Sequence, residues 1–205
     1  MIELFHSVNP YENFDHEKYD LVDTNISGSH PVFEKVILKT KPSLIIEVGT
    51  WLGGSAFYML ELCKKHNLDT KIICVDTWLG GLEFRTDPNL CKQLMFTNGY
   101  PQVYYQFLAN VVKRGYQDSI IPFPITSTIA ANFFKHHKIQ ADLIYVDGSH
   151  DVQDVFQDLN VYWDVVKDGG ILFGDDADWP GVLTAINNFK PMQRTIWNKK
   201  FIYNK

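Results

Sequence analysis

Two acid-bearing segments carry the strongest chemical signal in this sequence. Asp142-Leu143-Ile144-Tyr145-Val146-Asp147-Gly148-Ser149-His150 and Ile171-Leu172-Phe173-Gly174-Asp175-Asp176 each set carboxylates just after an apolar run. If the two runs form neighbouring strands, Asp147, Asp175 and Asp176 converge at one end of a sheet. Carboxylates at close range raise one another's pKa, and a hard divalent cation such as magnesium, held by oxygen ligands, relieves that repulsion. His150 lies three residues after Asp147 and could take the proton of a hydroxyl held there. The plainer alternative is a set of solvated loop acids and a histidine that caps the next helix.

Two earlier segments suit a nucleoside. In Ile45-Ile46-Glu47-Val48-Gly49-Thr50-Trp51-Leu52-Gly53-Gly54, Gly49 allows a sharp turn and close backbone approach, and Glu47 could accept from a ligand ammonium group. The loop departs from the dinucleotide fingerprint, because Trp51 stands where that pattern needs its second glycine, and an adjacent carboxylate repels phosphate. A positively charged nucleoside without phosphates fits better; a plain strand-to-helix turn is the alternative. Asp76 ends the next apolar run, where an acid can accept both hydroxyls of a ribose. Thr50-Trp51-Leu52-Gly53-Gly54 recurs as Thr77-Trp78-Leu79-Gly80-Gly81, with no third copy to suggest a solenoid. Trp51 and Trp78 could frame the ligand or simply pack the fold.

These residues need a scaffold that brings strand ends together. The chain is 205 residues long and 45% hydrophobic, enough for one core. Strands are predicted at 44–48, 71–75, 119–124, 142–146 and 171–174, separated by helices at about 55–66, 101–114, 127–137 and 152–167. A first helix starts at Pro31, another covers about 181–189, and Arg194–Tyr203 reads as two short strands around Asn198-Lys199. Alternation of this kind predicts an α/β, Rossmann-like doubly wound sheet, mostly parallel, with a C-terminal antiparallel hairpin. Residues 1–30 read as an N-terminal arm or lid, and 31–205 as a single domain. The connection 77–100 is expected to cover the site. Asp151, Asp154 and Asp158 read as capping and solvation of the helix they open.

A formal net charge of -5 with no Lys/Arg block argues against nucleic acid and anionic membranes as partners. Cys63, Cys74 and Cys91 form no C-x-x-C pair and read as free thiols of a reducing compartment. The first residues carry no basic leader, so a cytoplasmic location is expected. His6, His16, His30, His66, His136 and His137 have no evident pairing with the acids and read as structural or surface residues.

Taken together, Glu47-x-Gly49-x-x-x-Gly53, Asp76, and Asp147 with Asp175-Asp176 resemble class I S-adenosylmethionine-dependent methyltransferases. The similarity is closest to the metal-dependent O-methyltransferase branch, including the sugar O-methyltransferases of macrolide and aminocoumarin biosynthesis. It implies S-adenosylmethionine as cofactor. The methionine part would lie on Glu47, Gly49, Thr50 and Gly53, and the ribose on Asp76 with Thr77 and Trp78 beside it. Thr126 and Ser127 would flank the adenine. Asp147 would border the cofactor and, with Asp175 and Asp176, hold a divalent metal, Mg in the first instance, with His150 as the base. Related catechol-type enzymes carry a lysine at the His150 offset and an asparagine as third ligand, and this chain departs from both. The partner would be a small hydroxylated acceptor such as a sugar or polyol, with homo-oligomer formation left open. Two other readings stand beside this one: a cofactor-binding scaffold or sensor without turnover, and a nicotinamide-dependent oxidoreductase.

Overall fold

Five apolar strand cores with little polar alternation need cover on both faces, and the chain supplies a helix after almost every strand. The computed structural model describes residues 1–22, 30–189 and 194–205. In chain order the elements are α1 (Pro31–Thr40), β1 (Leu44–Val48), α2 (Gly54–Lys65), β2 (Lys71–Asp76), two short helices α3 (Glu83–Thr86) and α4 (Pro88–Lys92), and α5 (Val103–Lys113). Then follow β3 (Ile120–Pro124), α6 (Ser127–His136), β4 (Ala141–Val146), α7 (Val152–Trp163), β5 (Val166–Gly174), α8 (Pro180–Asn188), β6 (Arg194–Trp197) and β7 (Lys200–Asn204). The sheet order is β3-β2-β1-β4-β5-β7-β6, parallel through β5, with β7 antiparallel to both β5 and β6. This is the doubly wound sheet with a C-terminal hairpin that the alternation predicts. Helices α1, α2 and α5 bury Phe33, Phe57 and Phe107 on one face. Helices α6, α7 and α8 bury Phe134, Leu159 and Ile186 on the other.

Strand register decides which residues meet. Val48 pairs with Val75 and with Val146, Val146 pairs with Gly174, and Gly174 pairs with Phe201. One residue beyond these positions on the parallel strands stand Gly49, Asp76, Asp147 and Asp175. Because β7 runs the opposite way, Lys200, the residue before Phe201, joins the same edge.

Three expectations need correction. Helix α7 stops at Trp163, not Lys167, since Val166 already pairs with Ala141 in a longer β5. The Asp168-Gly169-Gly170 segment is therefore an irregularity inside a strand, not the loop before one; Gly169 takes φ +79, and Gly170 has no room for a Cβ against the Asp142 carbonyl. On α7, Val155, Asp158, Leu159 and Tyr162 are buried, while Phe156 is exposed, so Asp158 faces inward. Lastly, the 77–100 connection is partly helical, at α3 and α4.

The N-terminal segment docks along the β3 edge. Short 3-10 turns occur at Ile2–Leu4 and His16–Lys18. Phe5 packs edge-on against Phe123 with centroids 5.0 Å apart, and Tyr11 donates its hydroxyl to the Ile120 carbonyl at 2.9 Å. His6 Nε2 meets the Pro122 carbonyl at 2.5 Å. These contacts occupy edge carbonyls that would otherwise invite another strand. None of residues 1–22 lines the main cleft. Asn25 and Gly28, also assigned to the arm, lie outside the described residues. No helix among the described residues is long and apolar enough to cross a membrane. Cys63 and Cys74 are buried free thiols, and Cys91 is free and half-buried.

Phe5→Ala should lower the unfolding free energy by about 2 kcal/mol, less than a fully buried ring would cost because Phe5 is only half-buried. Urea denaturation followed by circular dichroism measures it; an unchanged midpoint would show that the arm is not docked in solution.

Candidate functional site

A cleft of about 1360 Å³ opens along the carboxyl edge of the sheet, from Thr126 and Ser127 past Asp76 and Gly49 to Asp147, His150, Asp175 and Asp176. Open α/β sheets hold ligands at this edge, and the volume exceeds what one small molecule fills.

The glycine loop lies where β1 meets its neighbours. Gly49 adopts φ +84, and a Cβ there would stand 2.2 Å from the Asp147 carbonyl oxygen. No other residue can turn here against β4. The next residues share a conformation with the second copy of the repeat: Trp51 and Trp78 are both left-handed, at φ 52 and 53, and Gly53 and Gly80 take φ 94 and 79. Asp76 joins the two copies. Its Oδ2 accepts from the amides of Thr50 at 2.9 Å and Trp51 at 2.8 Å, and its Oδ1 accepts from the amide of Trp78 at 2.8 Å. A carboxylate offers about four acceptor positions, so little more than one remains for a ligand. Asp76 also lines the cleft.

The remaining predicted cofactor residues divide. Thr50, Thr77, Thr126, Ser127 and Asp147 all line the cleft. Glu47 does not: it is fully buried behind the loop, accepting from Thr50 Oγ1 at 2.9 Å and from the Ser55 hydroxyl. Burial raises its pKa to about 8, offset in part by those hydroxyls. Glu47 thus shapes the loop, and in this arrangement it has no open face for a ligand ammonium. Gly53 also stays behind the surface, as the N-cap of α2. Trp78 is 1% exposed, packed on Tyr104 and Phe107, with its indole N–H donating to the Trp51 carbonyl at 2.7 Å. It is a core residue and not a ligand frame, because α5 roofs the second copy of the repeat. Trp51 does line the cleft and faces Phe84 at 4.5 Å.

The acids do converge, as their strand positions predict, but they arrive already partnered. Tyr145 donates its hydroxyl toward Asp147 Oδ2 at 3.0 Å and lies 3.4 Å from Asp175 Oδ2. Asp175 forms an ion pair with Lys200, whose ammonium also sits 3.2 Å from the Tyr145 hydroxyl. Asp176 bonds His150 Nε2 at 3.0 Å. Among the described residues no group of three His, Cys, Asp or Glu side chains is arranged to hold a metal ion. The tail strand delivers Lys200 to the edge where Asp147, Asp175 and Asp176 were expected to hold a metal. Burial, with Asp175 next, raises the Asp147 pKa to about 6. The Asp176 hydrogen bond raises that of His150, whose ring stacks on Trp179 at 4.3 Å.

Four further residues carry no motif. Lys200 and Tyr145 read as strand positions, and only the register reveals them. Asp158 is 5% exposed and lines the cleft beside Ser127, correcting its reading as a solvated acid. Asn110, also buried, donates to the Leu52 carbonyl at 3.1 Å and accepts from the Val22 amide at 3.2 Å, linking loop to arm.

Residues 46–177 match the profile of a family described as a methyltransferase domain. An uncharacterized protein of Acanthamoeba polyphaga mimivirus is 30% identical over 146 residues, covering 69% of this chain. The chain spans about 57% of the length of that relative. Among solved structures, a calicheamicin methyltransferase superposes with a TM-score of 0.61 at 15% identity, over 85% of this chain and 76% of that one. An O-methyltransferase from Bacillus cereus in complex with SAH gives 0.59 at 13% identity, over 100% and 99%. The O-methyltransferase NovP gives 0.55 at 15%, over 85% and 78%. At these identities the structural likeness is one of fold.

Asp158 has a measurable signature. Burial raises its pKa from the ordinary 3.8 to about 6. Between those values the native state still binds a proton that the unfolded chain has lost. Stability contributed by this group is therefore complete below about pH 4 and is lost as pH rises toward 6. Asp158→Asn should be more stable than the wild type by on the order of 2 kcal/mol above about pH 6.5, with the gap closing toward about pH 4. Urea titrations across this range test it; a pH-independent gap would mean that the carboxylate is not desolvated.

Proposed function

The chain belongs to the methyltransferase-domain family, and from that premise we propose that it transfers the methyl group of S-adenosylmethionine to an oxygen of a small hydroxylated acceptor. The observation that carries this reading is one continuous cleft in which a nucleoside groove, Ser127 to Asp76 to Gly49, opens onto the His150–Asp176 pair. The family match leaves the nicotinamide-dependent alternative without support.

When bound, S-adenosylmethionine supplies an electrophilic methyl carbon on a sulfonium. The chain's residues would do the rest. Thr126, Ser127 and Asp158 suit the adenine end, Asp76 one ribose hydroxyl, and the Gly49–Thr50 backbone the methionine end. The Asp176 carboxylate would accept from Nε2–H of His150, leaving Nδ1, 3.8 Å from Glu83 Oε1, to act as the base. Nδ1 would take the acceptor's hydroxyl proton as that oxygen bonds to the methyl carbon and the carbon–sulfur bond breaks. Alignment of oxygen, carbon and sulfur by the cleft is the main contribution expected.

The acceptor end sets limits on chemistry. Glu83, Asp151, Asp154, Asp175 and Asp176 line the cleft, and no lysine or arginine is among the described lining residues. Such a surface favours a neutral or amine-bearing hydroxylated acceptor, a sugar or polyol for example, over one carrying phosphates. The magnesium ion expected from the acid set does not fit the residues as they stand. Asp175 is already paired with the Lys200 ammonium, and Asp176 is committed to His150. No step here uses it.

His150→Ala should lower kcat by about 10²–10⁴ while leaving donor affinity unchanged. Isothermal titration with S-adenosylmethionine and a methyl-transfer assay on a panel of neutral, amino and phosphorylated sugars test this. Absence of donor binding in the wild type would sink the reading; preference for phosphorylated acceptors would sink the acceptor class.

A further inference from the structure

Lys200 is a lysine with almost no solvent. Its side chain is 6% exposed, and its ammonium lies over the rings of Phe33 at 5.2 Å and Tyr145 at 5.5 Å. An ammonium in such surroundings is stable only when paired, and its partner is Asp175. The pairing is built into the sheet: Gly174 faces Phe201 in the β5–β7 ladder, so the residues that flank them, Asp175 and Lys200, must meet. The Tyr145 hydroxyl then bridges outward, within reach of Asp175 and Asp147 together. One ammonium and one hydroxyl thus hold two carboxylates that would otherwise repel. A divalent ion entering between Asp147 and Asp175 would face this ammonium at short range. It would also have to strip the Asp175 carboxylate from a buried cation that no other carboxylate among the described residues contacts.

We propose that Lys200 is the resident cation of this site, taking through Asp175 and Tyr145 the part that a divalent ion would otherwise play. The inference rests on the methyl-transfer reading for its consequence: the acid edge is neutralised from within, and turnover needs no metal. Lys200 does not line the cleft, so it is a positioning residue. It holds Asp175 and Asp147 in place and leaves Asp176 free to orient His150.

The test uses Mn²⁺ as the probe, read by the electron paramagnetic resonance signal of the free ion, with S-adenosylhomocysteine titrated calorimetrically into the same samples. The wild-type protein should leave the Mn²⁺ signal unchanged into the millimolar range, bind the nucleoside, and keep its methyl-transfer rate after EDTA treatment. Lys200→Met uncovers the carboxylates and should gain Mn²⁺ binding, seen as loss of free-ion signal. Lys200→Arg, which restores a cation, should abolish that gain. A role in packing alone predicts no gain in Lys200→Met. Mn²⁺ binding by the wild type that Asp175→Asn removes would overturn the proposal, even if Lys200→Met fails to fold. Failure of nucleoside binding with Mn²⁺ still excluded would strike at the methyl-transfer reading instead.

Discussion

One carboxylate, that of Asp76, ties the working edge of this protein together. It receives three backbone amides from two loops that are far apart in sequence but follow neighbouring strands. Both loops carry a tryptophan in the left-handed region, a conformation that costs a bulky residue on the order of 1 kcal/mol or more. Charge-assisted hydrogen bonds to an anion are among the few local interactions strong enough to hold it. The Trp78 indole then closes the arrangement by donating to the Trp51 carbonyl. The floor of the cleft is thus a single unit made from two copies of one pentapeptide, and its rigidity comes from polar bonds at the end of an apolar sheet.

The other end of the cleft is organised by charge balance. Asp147, Asp175 and Asp176 are brought together by the β1, β4, β5 and β7 register, which no side chain can renegotiate. Each receives a different counterpart: a tyrosine hydroxyl, a buried ammonium and an imidazole. These partners differ in mobility and reach. Lys200 and Tyr145 are locked within the core on the α1 side, whereas His150 stands in the cleft against Trp179. A division follows between acids that keep the edge stable and one acid that works on a group facing the ligand.

Much of this was legible in the sequence, and the physical reason is periodicity. Uninterrupted apolar runs ending in acids forecast parallel strands, and the tail around Asn198 forecast the hairpin. Residues adjacent to strand ends, such as Gly49, Asp76, Asp147 and Asp175, were readable because a parallel sheet aligns its carboxyl ends. Lys200 was not, because its importance depends on an antiparallel register that composition does not encode. Asp158 was misread because a small rotation of the buried face of α7, with Val155 and Leu159 still inside, converts a solvated acid into a desolvated one. For Trp78 the sequence left framing the ligand and packing the fold both open, because the repeat does not show that α5 covers only one of its two copies.

The position of β7 also bears on how the molecule comes to be folded. It is the last strand described along the chain, yet it lies between β5 and β6 in the sheet. A nascent chain can assemble β1 to β5 with their helices while β5 remains an open edge. At that stage Asp175 lacks its ammonium and the acids crowd one another without relief. Insertion of β7 closes the edge and neutralises the cluster in one event. Topology thereby makes electrostatic quiet at the cleft a late product of folding, and an incompletely synthesised or C-terminally nicked chain would present both an unpaired strand and an unbalanced acidic patch.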